Sequence, residues 1–251
     1  MNKLTDEKRW FPFGLGAELA SRRVFCLPFA GGGASFFLPW RKALLDVALV
    51  PVQYPGHETR LKEACHTDLA KLVDELAFAM LPHLDRSYLL LGYSLGAKVA
   101  FALSHRLAAL GAPEPELFIS IAHGSPDAKS MHPDAADLPD AEFRALVRQF
   151  GGMPEVVFQD PELANLLLPI LRADIGLVAH PVPLLPLKCS ILAYAGEQDA
   201  AASPSNMANW QRFSGGRFNL RTFEGGHFFV RSNSEFMSTL VVDIKHEMQT
   251  S

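Results

Sequence analysis

The chain has 251 residues, 49% hydrophobic and 20% charged, enough apolar material to bury a full core in a single domain spanning 1–251. A formal net charge of −4, with no basic run and no aromatic RNA-binding signature, argues against a nucleic-acid partner. Cys26, Cys65 and Cys189 have no metal-type spacing and read as reduced thiols of a cytoplasmic protein. No apolar run reaches membrane-span length, and Met1 to Trp10 is charged without a secretory core.

The first strand signal is Arg23-Val24-Phe25-Cys26-Leu27, followed by the loop Pro28-Phe29-Ala30-Gly31-Gly32-Gly33. Its glycines let main-chain N–H groups approach a ligand closely. The absence of a following Gly-Lys-Ser/Thr discounts a nucleotide loop. Tyr88 to Leu91 is an apolar run suited to a buried strand, and Gly92-Tyr93-Ser94-Leu95-Gly96 follows at once. That pentapeptide fits the G-x-S-x-G nucleophile elbow, with Ser94 at a strained corner and glycines on either side, where a Cβ would collide with strand or helix. Ala97 to Leu103 supplies good helix formers, and the N-terminus of that helix brings partial positive charge near Ser94.

Leu117 to Ala122 is another strand candidate, with His123 just after it. Next comes a helical insertion at about 127–182. Phe143, Leu146, Val147 and Phe150 recur at helical spacing until Gly151-Gly152, and Asp160-Pro161 reads as an N-cap followed by proline at the first helical position. The helix beyond carries Leu163, Leu166, Leu167, Leu168, Ile170 and Leu171, and Pro169 within it should kink it. A helix apolar on two sides must hide both, one against the body and one over a cavity. Phe29, Leu167 and Leu171 are the candidate substrate contacts of such a lid.

Cys189 to Ala195 is a continuous apolar strand ending in Gly196-Glu197-Gln198-Asp199, and a carboxylate there sits where open α/β sheets keep functional groups. Asp199 is the candidate acid, with Glu197 as the alternative; Asp174 reads as helical and structural. Phe218 to Phe223 is the last strand signal, and Glu224-Gly225-Gly226-His227 follows. His105, His132, His180 and His246 lie in helical or polar loop settings, whereas His227 sits in a glycine-rich loop and completes the order Ser, acid, His. The candidate catalytic set is therefore Ser94, Asp199 and His227, with the backbone N–H groups of Leu95 and Ala30 as the oxyanion hole and Phe29 the alternative donor to Ala30.

The combination Leu27-Pro28-Phe29-Ala30-Gly31-Gly32, Tyr54-Pro55-Gly56-His57-Glu58-Thr59-Arg60, Gly92-Tyr93-Ser94-Leu95-Gly96, Leu168-Pro169-Ile170-Leu171-Arg172-Ala173-Asp174 and Gly225-Gly226-His227 resembles the type II thioesterases of nonribosomal peptide and polyketide synthesis. The resemblance covers about residues 21 to 247. It departs from the family where His57 replaces a usual Arg, and where Leu177-Val178-Ala179-His180 replaces an acidic-Thr-Tyr-like run. It implies an α/β-hydrolase fold: a mostly parallel central sheet with helices on both faces and a helical lid. It further implies hydrolysis of acyl groups stranded on the phosphopantetheine arm of an acyl or peptidyl carrier protein, by a monomer needing no metal or organic cofactor. Three other readings share part of this pattern: a carboxylesterase or lipase-like enzyme on small free esters, an acyltransferase or cyclising release enzyme, and a catalytically silent carrier-binding module.

Overall fold

Short apolar runs alternating with longer helical ones build a parallel sheet, because each return to a parallel neighbour needs a crossover. The computed structural model describes residues 3–17 and 20–249. Along the chain these form α1 (Lys3–Trp10), β1 (Arg22–Leu27), β2 (Ala48–Pro51), α2 (Leu69–Met80), β3 (Ser87–Tyr93), α3 (Leu95–Ala109) and β4 (Leu117–Ile121). Then come α4 (Asp140–Phe150), α5 (Glu155–Gln159), α6 (Pro161–Ala179), β5 (Ser190–Gly196), α7 (Pro204–Ala208), β6 (Phe218–Phe223), α8 (Phe229–Ser232) and α9 (Phe236–Gln249). A 3₁₀ helix, Ala34–Lys42, joins β1 towards β2. β2 and α2 add to the elements read above; α2 is capped by Asp68, whose side chain accepts from the Ala70 and Lys71 N–H groups.

The six strands lie in the order β2-β1-β3-β4-β5-β6, and every pairing among them is parallel. Side chains alternate between faces, so the period of two divides the apolar residues into two cores. On one face Phe25, Leu90, Phe118 and Ile191 pack with Leu76 of α2, Phe101 of α3 and Trp210. On the other, Val24, Leu89, Ile119 and Tyr194 pack with Phe37 and Trp40 of the 3₁₀ helix and with Phe236, Leu240 and Ile244 of α9. Helices therefore cover both faces, as the resemblance implies. Each such large apolar side chain, withdrawn fully from water, contributes about 1.5–3 kcal/mol.

The order reverses between β1 and β3: from β1 the chain moves outward to β2, then returns to add β3 on the other side. Loops leaving the C-terminal ends of β1 and β3 thus diverge over a crevice, the place where open α/β sheets bind ligands. Leu27 pairs with Gly92, so the 28–33 loop and Ser94 leave the sheet at the same level.

The segment between β4 and β5 carries α4, α5 and α6. Gly151 ends α4 in the left-handed conformation (φ 70°), and the Asp160 side chain caps α6 by accepting from the Glu162 and Leu163 N–H groups. The kink expected at Pro169 does not break the helix, since α6 continues to Ala179. A proline removes one helical hydrogen bond, and α6 is held on both sides of it. Leu168 and Leu171 pack on Phe143 and Val147, Arg172 donates to the Ala136 and Leu138 carbonyls, and Lys98 Nζ donates to the Val178 carbonyl at 2.7 Å. Cys189, read as the first residue of its strand, is buried one residue ahead of β5. No helix among the described residues is long and apolar enough to cross a membrane.

Candidate active site

Ser94 stands at the end of β3 with φ 53° and ψ −119°, a conformation that costs a side-chain-bearing residue about 1–3 kcal/mol. The turn is tight enough to require both glycines. A Cβ on Gly92 would lie 2.3 Å from Ala97 Cα, and one on Gly96 would lie 2.0 Å from the Leu27 carbonyl oxygen. The Ser94 N–H is anchored to the Ile121 carbonyl at 2.7 Å, so the corner is braced by β4.

His227 begins far away in the sheet. β6 is three positions from β3, roughly 14 Å at the usual strand spacing. The glycine-rich loop closes that gap by crossing the end of β5, where a Cβ on Gly196 would lie 2.4 Å from the Gly226 carbonyl oxygen. Gly225 takes φ 124°, its N–H donates to Gln198 Oε1 at 2.6 Å, and Tyr93 Oη donates to the His227 carbonyl at 2.8 Å. These contacts deliver the imidazole to Ser94, with Nε2 2.9 Å from Oγ.

Asp199 completes the chain of contacts. Its Oδ2 lies 2.8 Å from His227 Nδ1, while Oδ1 accepts from the Ala201 and Ala202 N–H groups at 2.9 and 3.0 Å. An ionised carboxylate only accepts, so Nδ1 carries the hydrogen and Nε2 is free to accept from the Ser94 hydroxyl. Burial pushes the Asp199 carboxyl up, but the hydrogen bond and charge of His227, with the Ala202 and Ala201 N–H groups, hold it below the ordinary carboxylate value. Glu197, two residues away, is exposed; its backbone N–H pairs with the Phe223 carbonyl.

Neither the Leu95 nor the Ala30 N–H donates a hydrogen bond among the described residues. The first is an orphan of the α3 N-terminus. The second belongs to the loop at the C-terminal end of β1, beside the elbow. Ala30 borders, with Ser94 and His227, a cavity of about 580 Å³. Phe29, Leu167 and Leu171 also line it, together with Ile170, Ile175 and Val178 of α6. Phe29 packs edge-on against Tyr93 and Phe228, with the Arg231 guanidinium 5.3 Å from its ring.

Two polar groups in this wall were not singled out by the sequence reading. Lys98, one helical turn past Ser94, lines the cavity, and burial lowers its ammonium to about 8. His123 lines it too; burial, with the charges of Lys98 and His227, lowers its imidazole to about 3. Position alone could have flagged His123, since it leaves the C-terminal end of β4 as Asp199 does that of β5. Asp174, read as structural, is buried with its Oδ2 2.8 Å from His57 Nε2 and 2.7 Å from the Gly31 nitrogen. Among the described residues no group of three or more His, Cys, Asp or Glu side chains is placed to hold a metal ion.

The family model for the thioesterase domain matches residues 22–246. Thioesterase PikA5 of Streptomyces venezuelae is 36% identical over 232 residues, covering 90% of this chain and 81% of that protein. RedJ, a thioesterase of the prodiginine biosynthetic pathway in Streptomyces coelicolor, superposes with a TM-score of 0.83 at 29% identity, covering 96% of this chain and 99% of RedJ. YbtT, a type II thioesterase from the yersiniabactin NRPS/PKS biosynthetic pathway, superposes with a TM-score of 0.79 at 27% identity, covering 92% and 96% of the two chains.

Proposed function

This chain belongs to the thioesterase family, and from that premise we propose that it frees acyl groups stranded on the phosphopantetheine arms of carrier proteins in nonribosomal peptide or polyketide synthesis. The observation that carries the reading is the continuous hydrogen-bonded chain Ser94–His227–Asp199 opening onto a cavity walled largely by apolar side chains. The pantetheine thioester enters that cavity with its acyl chain under α6, the 127–182 segment serving as the lid.

The chemistry follows from the geometry. Ser94 Oγ attacks the thioester carbonyl as His227 Nε2 takes its proton, and Asp199 stabilises the imidazolium that forms. The Leu95 and Ala30 N–H groups receive the oxyanion, helped by the partial positive charge of the α3 N-terminus. The protonated imidazole gives its proton to the departing pantetheine sulfur. Water deprotonated by His227 then attacks the acyl-serine, releasing the acid. Every group in this sequence comes from one chain, so the chemistry asks for no residue from a second subunit and a monomer could carry it out. The three unpaired cysteines favour a reducing cytoplasm.

The test is turnover of acyl-loaded carrier protein against small oxoesters, with Ser94→Ala alongside. The expected result is preference for the carrier thioester and a loss of at least about 10³-fold in Ser94→Ala with an intact fold. A folded Ser94→Ala protein with near-parental hydrolysis would overturn the mechanism. Oxoester preference would point instead to an esterase on small free esters.

A further inference from the structure

The segments around His57 and Asp174 meet at the oxyanion loop. Asp174 sits on α6 and His57 in the turn after β2, and both side chains are at most 4% exposed. Asp174 Oδ2 faces two groups at once, His57 Nε2 at 2.8 Å and the Gly31 nitrogen at 2.7 Å. The other imidazole nitrogen, Nδ1, lies 2.9 Å from the Pro55 carbonyl oxygen. A carbonyl oxygen and a carboxylate both only accept, so each ring nitrogen must carry a hydrogen. With Asp174 ionised, His57 is a buried imidazolium, and among the described residues Asp174 is the only carboxylate bonded to it.

The same turn grips the loop a second time. Glu58, beside His57, accepts from both the N–H and the hydroxyl of Ser35, and a Cβ on Gly33 would lie 2.1 Å from Glu58 Cδ. Between these two holds runs Gly31-Gly32-Gly33, which has little stiffness of its own. The Ala30 N–H belongs to the residue just before the one Asp174 fixes.

We propose that the His57–Asp174 ion pair is a positioning device for the oxyanion hole, setting the Gly31 peptide and with it the Ala30 N–H, and that it tethers the lid helix α6 to that loop. This rests on the catalytic reading above, in which Ala30 is an oxyanion donor. Neither residue touches the reacting atoms. Their effect is to hold a donor in place before charge develops on the substrate, where preorganisation counts most.

Because the pair needs the ring charged, the device titrates. Burial pushes the His57 imidazole down, but the hydrogen bond and charge of Asp174, the Pro55 carbonyl and the charge of Glu58 outweigh it, leaving its pKa above the ordinary histidine value. The other titratable neighbours are Tyr54, whose ring meets the imidazole edge-on, and Cys65 behind Gly56; burial raises both, so they stay neutral near pH 7. A raised histidine pKa means the tie is complete at lower pH and is lost as pH rises through the folded-state value. A guanidinium at position 57 would stay charged throughout.

Two measurements on the intact protein test this. The first is the ¹⁵N signature of His57 in histidine-labelled protein near pH 7, assigned by its loss in His57→Gln; both ring nitrogens should be protonated, and a neutral ring would overturn the proposal. The second is blank-subtracted hydrolysis of an acyl-pantetheine thioester from about pH 6 to 10. His57→Gln and Asp174→Asn should each lower kcat roughly tenfold or more while leaving KM within about twofold, as expected for a misplaced oxyanion donor. His57→Arg should recover most of that loss and remove the part of the alkaline decline that the parent shows. An alkaline limb unchanged in a folded His57→Arg protein, or kcat unchanged in Asp174→Asn, would overturn the proposal. Failure of the catalytic reading looks different: the parent would then show no Ser94-dependent hydrolysis at any pH, whatever the protonation of His57.

Discussion

Replacing Asp199 by asparagine tests the site with a single atom exchange. Oδ1 is already committed to the Ala201 and Ala202 N–H groups at 2.9 and 3.0 Å, which leaves Oδ2 for His227 at 2.8 Å. In Asp199→Asn the amide oxygen must stay with those two donors. Turning the NH₂ towards them would oppose donor to donor, at about 1–3 kcal/mol for each N–H left unpaired. The NH₂ therefore faces His227, whose Nδ1 becomes the acceptor, and the ring proton moves to Nε2. A protonated Nε2 cannot accept from Ser94. The expected cost is about 10⁴-fold in kcat, or about 5.5 kcal/mol of transition-state stabilisation. Stability at neutral pH should fall only by what the lowered Asp199 carboxyl contributes, because every hydrogen bond keeps a partner while the ionic part of the His227 contact is lost. The assay is thiol release from an acyl-pantetheine thioester, with thermal unfolding as the control and Glu197→Gln as the comparison. Exposed Glu197 should tolerate the change to within about twofold. A loss below about tenfold in Asp199→Asn, or a larger one in Glu197→Gln, would mean that another group sets the imidazole tautomer.

Other substitutions probe the supports. Gly96→Ala places a methyl 2.0 Å from the Leu27 carbonyl oxygen and 2.7 Å from that of Pro28, backbone atoms that cannot swing aside; a destabilisation of about 3 kcal/mol or more is expected in urea titration, and near-parental stability would contradict the packing at the elbow. Leu167→Trp narrows the cavity beneath α6, so turnover of long acyl chains should fall more than that of acetyl. A uniform loss across a chain-length series would mean that α6 only supports the fold. The lowered Asp199 carboxyl contributes stability in full above the ordinary carboxylate value and loses it as pH falls through the lowered one. Unfolding measured below about pH 4 should accordingly depend less steeply on pH in Asp199→Asn.

What the amino-acid order determined unaided is what depends on neighbours in sequence. The elbow is one such feature, because the strand Ser87–Tyr93, the corner at Ser94 and the helix from Leu95 are contiguous, and the glycines answer clashes within that one turn. The caps at Gly151 and Asp160 are others, each set by the conformation or side chain of one residue. Strand identity was legible for the same reason in every strand but the four-residue β2, down to Phe218–Phe223, whose limits the structure reproduces.

Contacts between distant segments were decided by the tertiary structure. Glu197 and Asp199 have equivalent chemistry and lie two residues apart; only the fold of the loop, with the Ala201 and Ala202 N–H groups drawn to one carboxylate oxygen, turns Asp199 to His227 and leaves Glu197 in solvent. That α6 runs on past Pro169 to Ala179 is supported by packing on both sides of the proline. Asp174 could be read as helical, but not as the partner of His57 and Gly31, which lie 117 and 143 residues away. Lys98 and His123 similarly look like an elbow-helix residue and a strand-end residue until the cavity closes around them. Local sequence sets backbone preferences within a turn or two, whereas the strand order 2-1-3-4-5-6 decides which chain ends share a crevice, and a hydrogen bond exists only after that order is chosen.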